Sequence, residues 1–424
     1  MAAGYDDTMR WAAPIFYACG CAALCGQTLT VEPSRALADR EVVIRASGLD
    51  AGERVAIRSE LLDANGHHWT AEADFTADSA GAVDVSRQAP VAGAYKEVSA
   101  MGLVWSMMPQ EHSAQLYQPP HNFAPQPIEF HLLRKGQPAA SARFEQLALA
   151  EGVRRIPLHE GSLRGLLLVP PGDTPRPGIM VLSGSNGGLP VRPAAWFASH
   201  GFVALALAYF RYDDLPNRLE NIPLEYFGRG IEWMAQRPEM AGKPLAVSGT
   251  SRGGELALQL GSMYPRIRAV VAYVPANVRF PACCGNPSLA AWTWEGRPLA
   301  FLPPRFAGSG SLEMRAEIAV ELTHGPILTI SGQDDHVWRS ASMADSVIAR
   351  LKRHNFAYDC ENLKYARAGH SAGRPDIAPA WHGHPVNPTS GREMDLGGSP
   401  RGDFESSIDS MPKVLEFLKK ALKE

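Results

Sequence analysis

The sequence predicts an α/β protein in two parts: a mostly parallel sheet flanked by helices, preceded by a small all-β sandwich. Three observations carry this. From Leu29 to about Leu133, short alternating apolar runs are punctuated by turns. From about Val153 onward, apolar strands alternate with helical stretches. A chain of 424 residues is also long for one ordinary domain and suits two. Closely spaced alternating strands read as an antiparallel sandwich. Strand–helix alternation reads as a parallel sheet covered on both faces.

Residues 1–27 are set apart as a leader or a disordered extension. Met9-Arg10 precede an apolar run from Trp11 to Leu24, too short for a comfortable membrane span. The basic start, short apolar core and small residues resemble a secretory leader, whereas Asp6, Asp7 and the lack of a clean cleavage site argue against one. The protein is cytoplasmic if this run is not a signal, and periplasmic or secreted if it is. Cys21 and Cys25 fit a lipidation site poorly.

Residues 28–140 are assigned to the sandwich. Val42–Ala46, Val55–Arg58 and Trp69–Ala73 read as strands, with Asn65-Gly66 as a hairpin turn. Lys135-Gly136-Gln137-Pro138 reads as the last turn before a linking segment. This region holds no Ser/His/Asp or metal cluster, so it reads as a binding or covering module.

Residues 141–424 are assigned to the second part. Gly165–Pro170, Gly178–Ser183, Phe202–Leu207, Pro244–Ser248, Ala269–Tyr273, Ile327–Ile330 and Asp359–Tyr365 are its expected strands. Ala194–His200, Glu225–Gln236, Glu255–Met263 and Ile408–Leu422 are its expected helices.

Composition excludes several classes. Forty-one basic against 44 acidic residues leave a net charge of -3, with no polybasic run to bind nucleic acid or an anionic membrane. Outside the leader only Cys283, Cys284 and Cys360 remain. Adjacent cysteines rarely bridge each other, so no disulfide framework is expected, and the spacing suits no zinc site. No metal or cofactor is implied.

The chemistry lies in Gly249-Thr250-Ser251-Arg252-Gly253, a G-x-S-x-G pattern between an apolar strand and an amphipathic helix. Such a turn lifts a serine above the sheet in strained backbone, and a Cβ at Gly249 or Gly253 would meet the neighbouring helix or strand. The context makes Ser251 the nucleophile of an α/β-hydrolase. Its partners should follow in the order acid, then histidine. Asp334-Asp335 stand just past a strand, and either fits as the acid. Ala368-Gly369-His370 follow the next strand, making His370 the better base than His336, which adjoins the acid. His382 and His384 sit in a Pro/Gly-rich loop and read as surface histidines. Ser183–Gly188 follows an earlier strand and reads as an oxyanion loop, lacking the Gly-Lys-Ser/Thr ending of a phosphate loop. The oxyanion N–H groups are expected from Arg252 and from Asn186 or Gly187.

These residues resemble the type I acyl-CoA thioesterases and bile acid-CoA:amino acid N-acyltransferase. Val31–Ser34, Met101–Met107, Gly187–Leu189, Leu207–Phe210, Ile222–Phe227, Gly253–Leu258, Gly332–Trp338 and Ala368–His370 carry the resemblance over nearly the whole chain after the leader. The resemblance implies that Asp335, not Asp334, is the acid. It also implies that the β region packs over the catalytic part and shapes an acyl-CoA site. The transferases it includes use cysteine as nucleophile, so Ser251 favours water as acyl acceptor. Ser371-Ala372-Gly373-Arg374-Pro375 replaces an Ile-Glu-Pro-Pro type stretch that often follows the base in that family, so substrate preference does not carry over. The expectation is an acyl-CoA thioesterase of fatty-acid metabolism. The alternatives are an exported carboxylesterase or acyltransferase acting on a non-CoA ester, and a binding protein with an inactive hydrolase domain, which the intact Ser, Asp and His oppose. Oligomeric state is not legible.

Overall fold

The computed structural model describes residues 26–303 and 314–423. The apolar run and Cys19, Cys21 and Cys25 lie outside the described residues.

The alternating segments form two sheets. Thr28–Glu32, Val43–Ser47 and Val83–Asp84 make the smaller. The larger contains Arg54–Leu62 paired antiparallel with His68–Thr76. In that pair Val55, Ile57 and Leu61 face inward beside Trp69, Ala73 and Phe75, the period-2 burial that a half-buried sheet requires. Gly66, at φ 82°, turns the hairpin between them.

One expectation is corrected here. Lys135 and Gly136 both have positive φ and close a hairpin between Gln126–Arg134 and Gln137–Leu147. The residues read as a linking segment are thus a long strand of the same sheet, and a division after residue 140 falls inside it. Pro138 obscured the signal; it sits at the irregular start of the strand, where the pairing shifts register.

The second part is an eight-stranded sheet. In chain order its strands are β1 (Arg154–Glu160), β2 (Leu163–Val169), β3 (Gly178–Leu182), β4 (Val203–Ala208), β5 (Leu245–Thr250), β6 (Ile267–Tyr273), β7 (Ile327–Gly332) and β8 (Cys360–Tyr365). Their spatial order is β1-β2-β4-β3-β5-β6-β7-β8. Only β2 runs against the rest. Every residue of β3 and β4 is buried, as in a sheet covered on both faces.

Among the described residues, five helices cover this sheet: α1 (Val191–Ser199), α2 (Leu224–Ala235), α3 (Arg252–Met263), α4 (Ser340–Arg353) and α5 (Pro400–Ala421). Alternation along β3 sorts them. Ile179 and Val181 join a core with Trp196 and Phe197 of α1 and Val414 and Leu418 of α5. Met180 and Leu182 join one with Phe227 of α2, Leu256 of α3 and Val347 of α4. The first of these cores is continuous with that of the β-sandwich. The sandwich therefore sits on the α1/α5 side, where Trp105 stacks on Phe404 at 5.4 Å and Gln146 Nε2 donates to the Ile377 carbonyl at 2.6 Å.

The last helix starts eight residues before its expected beginning at Ile408. Ser399 Oγ accepts the Gly402 N–H and Pro400 occupies the first turn, a capping arrangement that compensates the poor helix formers between them and Ile408.

Candidate active site

The elbow forms where β5 runs directly into α3. Ser251 stands between them at φ 59°, ψ -120°, strained for a residue with a Cβ. A Cβ on Gly249 would meet Gly253 backbone, and one on Gly253 would meet the Leu182 and Ser183 carbonyls at the end of β3. The turn closes only because both positions lack a side chain. The Ser251 N–H donates to the Tyr273 carbonyl at 2.9 Å, fixing the elbow to β6.

Three sequence-predicted residues converge above the sheet. Ser251 Oγ lies 2.9 Å from His370 Nε2, and His370 Nδ1 lies 2.8 Å from Asp335 Oδ2. Asp335 follows β7 and its side chain is fully buried, while its Oδ1 accepts the Val337 and Trp338 N–H groups. The His370 N–H donates to the Leu396 carbonyl at 2.7 Å. The Trp338 ring meets the imidazole edge to face at 5.4 Å, itself held by Phe280 and by a bond from its Nε1 to the Val274 carbonyl. With both carboxylate oxygens occupied, Asp335 holds the ring with Nε2 toward the hydroxyl. That arrangement can accept a proton from Ser251 and return it.

The neighbouring pair is elsewhere. His336 bonds Asp395 at 2.8 Å and Asp334 at 3.1 Å, and all three side chains are half exposed. The Asp395 and Asp334 hydrogen bonds raise the His336 pKa above its ordinary value. Neither Asp334 nor His336 has a hydrogen bond to Ser251 or His370.

Arg252 is the first residue of α3, so its N–H has no intrahelical acceptor and points with the helix dipole. Its side chain is buried and turned away. It pairs with Glu255 at 3.2 Å and donates to the Pro281 and Phe280 carbonyls. Burial raises the Glu255 pKa, opposed by Arg252 and by the Trp292 N–H, which Glu255 accepts at 2.7 Å. This network ties the elbow helix to the chain after β6.

The loop after β3 lies beside the elbow: a Cβ on Gly184 would sit 3.3 Å from Ser251 Cβ. Gly187, expected as one source of an oxyanion N–H, instead donates to the Gly184 carbonyl at 3.2 Å, closing the loop on itself. A Gly-rich loop must satisfy its own backbone as well as a ligand, and sequence does not divide the two tasks. Asn186 remains. Asn387, buried in a segment after His370, donates to Ser185 Oγ at 2.9 Å and to Asn186 Oδ1 at 3.3 Å, while Thr389 Oγ donates to the Ser185 carbonyl at 2.8 Å. Sequence reasoning missed Asn387 and Trp338. Asn387-Pro388-Thr389 reads locally as a turn, and its contact lies some 200 residues away in the chain.

Two further expectations change. Cys283 and Cys284 are joined to each other by a disulfide, with Cys284 in left-handed backbone at φ 74°, a conformation that spacing alone does not forecast. His382 is mostly buried and lies 3.4 Å from Asp403, so of these two only His384 is a surface histidine. Among the described residues no group of His, Cys, Asp or Glu could hold a metal, and no helix is long and apolar enough to cross a membrane.

Comparison with known proteins gives two family matches. Residues 39–160 match the acyl-CoA thioester hydrolase/BAAT N-terminal region, and residues 222–283 and 307–424 match the BAAT/acyl-CoA thioester hydrolase C terminal. The chain is 32% identical to acyl-coenzyme A thioesterase 1 of Mus musculus, over 93% of this chain and 97% of that one. It is 31% identical to the mitochondrial acyl-coenzyme A thioesterase 2 of Mus musculus, over 93% and 89%. Among solved structures it is similar to an acylaminoacyl peptidase of Pyrococcus horikoshii, with a TM-score of 0.44 and 14% identity over 71% of this chain and 47% of that one.

Proposed function

The chain belongs to the acyl-CoA thioester hydrolase/BAAT family, and we propose that it hydrolyses acyl-CoA to a free carboxylic acid and CoA through Ser251, His370 and Asp335. The observation that carries this reading is the unbroken hydrogen-bond line from Ser251 Oγ through the His370 ring to Asp335, at 2.9 and 2.8 Å.

Ser251 Oγ attacks the thioester carbonyl carbon as His370 Nε2 takes the hydroxyl proton. The carbonyl oxygen becomes an oxyanion, stabilised by the Arg252 N–H at the start of α3 and by the Asn186 N–H across from it. The carbon–sulfur bond then breaks, and the imidazolium gives its proton to the departing CoA sulfur. Water enters, loses a proton to the same Nε2, and attacks the acyl-serine ester. Collapse returns the proton to Ser251 Oγ and releases the acid. Asp335 holds the Nδ1–H tautomer and offsets the imidazolium charge in both halves. A serine ester transfers readily to water, which supports hydrolysis over transfer to an amine.

The test is a panel of acyl-CoA thioesters and simple oxygen esters, read by release of free thiol and free acid. Acyl-CoA turnover that vanishes in Ser251→Ala is the expected result. Turnover of oxygen esters without CoA release from any thioester would replace this reading with a carboxylesterase.

A further inference from the structure

A cavity of about 200 Å³ lies beside the elbow, lined by Thr250 and His370 from either side of the serine. Other walls are apolar: Leu37 from the sandwich, Val181 from β3 and Phe197 from α1. Thr250 is exposed although every other residue of β5 is buried, so the space opens next to the nucleophile.

This mostly apolar space also contains Arg192, Arg374 and Asp376. Arg192 Nη2 lies 3.3 Å from Asp376 Oδ2 and Arg374 Nη2 lies 3.5 Å from Asp376 Oδ1. Both are single, long contacts, not the paired short bonds by which a guanidinium saturates a carboxylate. The buried Arg192 Nε has no hydrogen-bond partner among the described residues. Asp39, the cavity's other carboxylate, is taken by His200 at 3.0 Å. Two guanidiniums thus share one carboxylate, leaving one positive charge and several N–H donors along a mostly apolar space. Arg374 also belongs to the stretch that departs from the family pattern after the histidine.

We propose that this cavity receives the acyl group and that the preferred acyl group ends in a carboxylate, held by Arg192 and Arg374. The preferred substrate is then a dicarboxylic acid joined to CoA at one end. This rests on the thioesterase reading above and narrows it. CoA's own phosphates are the other source of anionic charge, but the space argues against them. A cavity of roughly 150 Å³ holds a benzene-sized ligand, so this one takes a short chain, on the order of six carbons, and not a nucleotide.

The test compares hexanedioyl-CoA with hexanoyl-CoA on the full chain. The expected kcat/KM ratio is on the order of tenfold or more in favour of hexanedioyl-CoA, because a site built to bond a polar end loses that bond with the plain chain. Arg374→Gln, at a partly exposed position, and Arg192→Gln should each bring the ratio toward one. Free hexanedioate should inhibit the unaltered protein more strongly than hexanoate, an arm that needs no variant to fold. A ratio at or below one in the unaltered protein overturns the proposal and leaves the thioesterase reading standing. Equal loss on both substrates in the variants, with weaker inhibition by free CoA, assigns the arginines to CoA phosphate and also overturns it. Absence of turnover on every acyl-CoA removes the thioesterase reading itself.

Discussion

Asn387 Nδ2 donates to Ser185 Oγ at 2.9 Å, joining the segment after His370 to the loop after β3 across 202 positions of sequence. Its Oδ1 accepts the Thr389 and Ser390 N–H groups, so the amide is fixed from both ends. A loop with three glycines has little stiffness of its own. We expect Asn387→Ala to lower kcat about tenfold while KM changes by less than about threefold. Outright loss of an oxyanion donor costs ~10²–10³, and here only its placement is loosened. Steady-state kinetics on one acyl-CoA checks this. A raised KM with unchanged kcat would make Asn387 a substrate contact instead.

The two adjacent aspartates should behave differently. Asp335 is buried against His370, whereas Asp334 is half exposed against His336. Asp335→Asn presents an amide where the ring needs an acceptor and should reduce kcat by about 10⁴. Asp334→Asn should change kcat by less than about threefold, since it weakens only exposed contacts, the His336 pair and the bond from the Gly398 N–H. Comparable losses in the two variants would reverse the assignment of the acid.

Chain order carries much of this site before any coordinates. A serine on a strand-to-helix turn, an acid after a later strand and a histidine after the next are all local patterns; they point to Ser251, to the Asp334-Asp335 pair and to His370, and only the family resemblance favours Asp335 within that pair. What sequence misses depends on distant segments meeting. Asn387 acquires its role from Ser185, Trp338 from the imidazole it packs on, and Gly187 loses its expected role to Gly184. The same applies to the fold. The strands of the eight-stranded sheet are legible as apolar runs, but Gln137–Leu147 carries a proline and several small and polar residues, and only its neighbours make it a strand.

The Arg252–Glu255 pair should be a stability element. The two side chains are 6% and 0% exposed and 3.2 Å apart. Glu255→Gln leaves a buried guanidinium without its counter-charge, a change that costs about 3 kcal/mol. Urea unfolding should show the midpoint falling with its slope preserved. Because Arg252 begins α3, kcat should fall as well. Unchanged stability would mean that the Phe280 and Pro281 carbonyls suffice to hold the arginine.

The join between sandwich and catalytic sheet should respond to pH through Asp39 and His200, 3.0 Å apart and both largely buried. Burial acts to raise the carboxyl pKa and to lower the imidazole pKa. The hydrogen bond and charge attraction between them outweigh it, so Asp39 lies below its ordinary 3.8 and His200 above its ordinary 6.5. For the histidine, stabilisation is fully present below the unfolded value and is lost as pH rises through the raised folded value. For the aspartate it is present above the unfolded value and lost as pH falls through the depressed one. The pair is therefore at full strength between roughly pH 4 and 6.5 and weakens on both sides. The difference in Tm between the unaltered protein and His200→Gln should be largest near about pH 5.5 and shrink by about pH 9. A difference that grew with rising pH would mean that the folded protein holds His200 neutral.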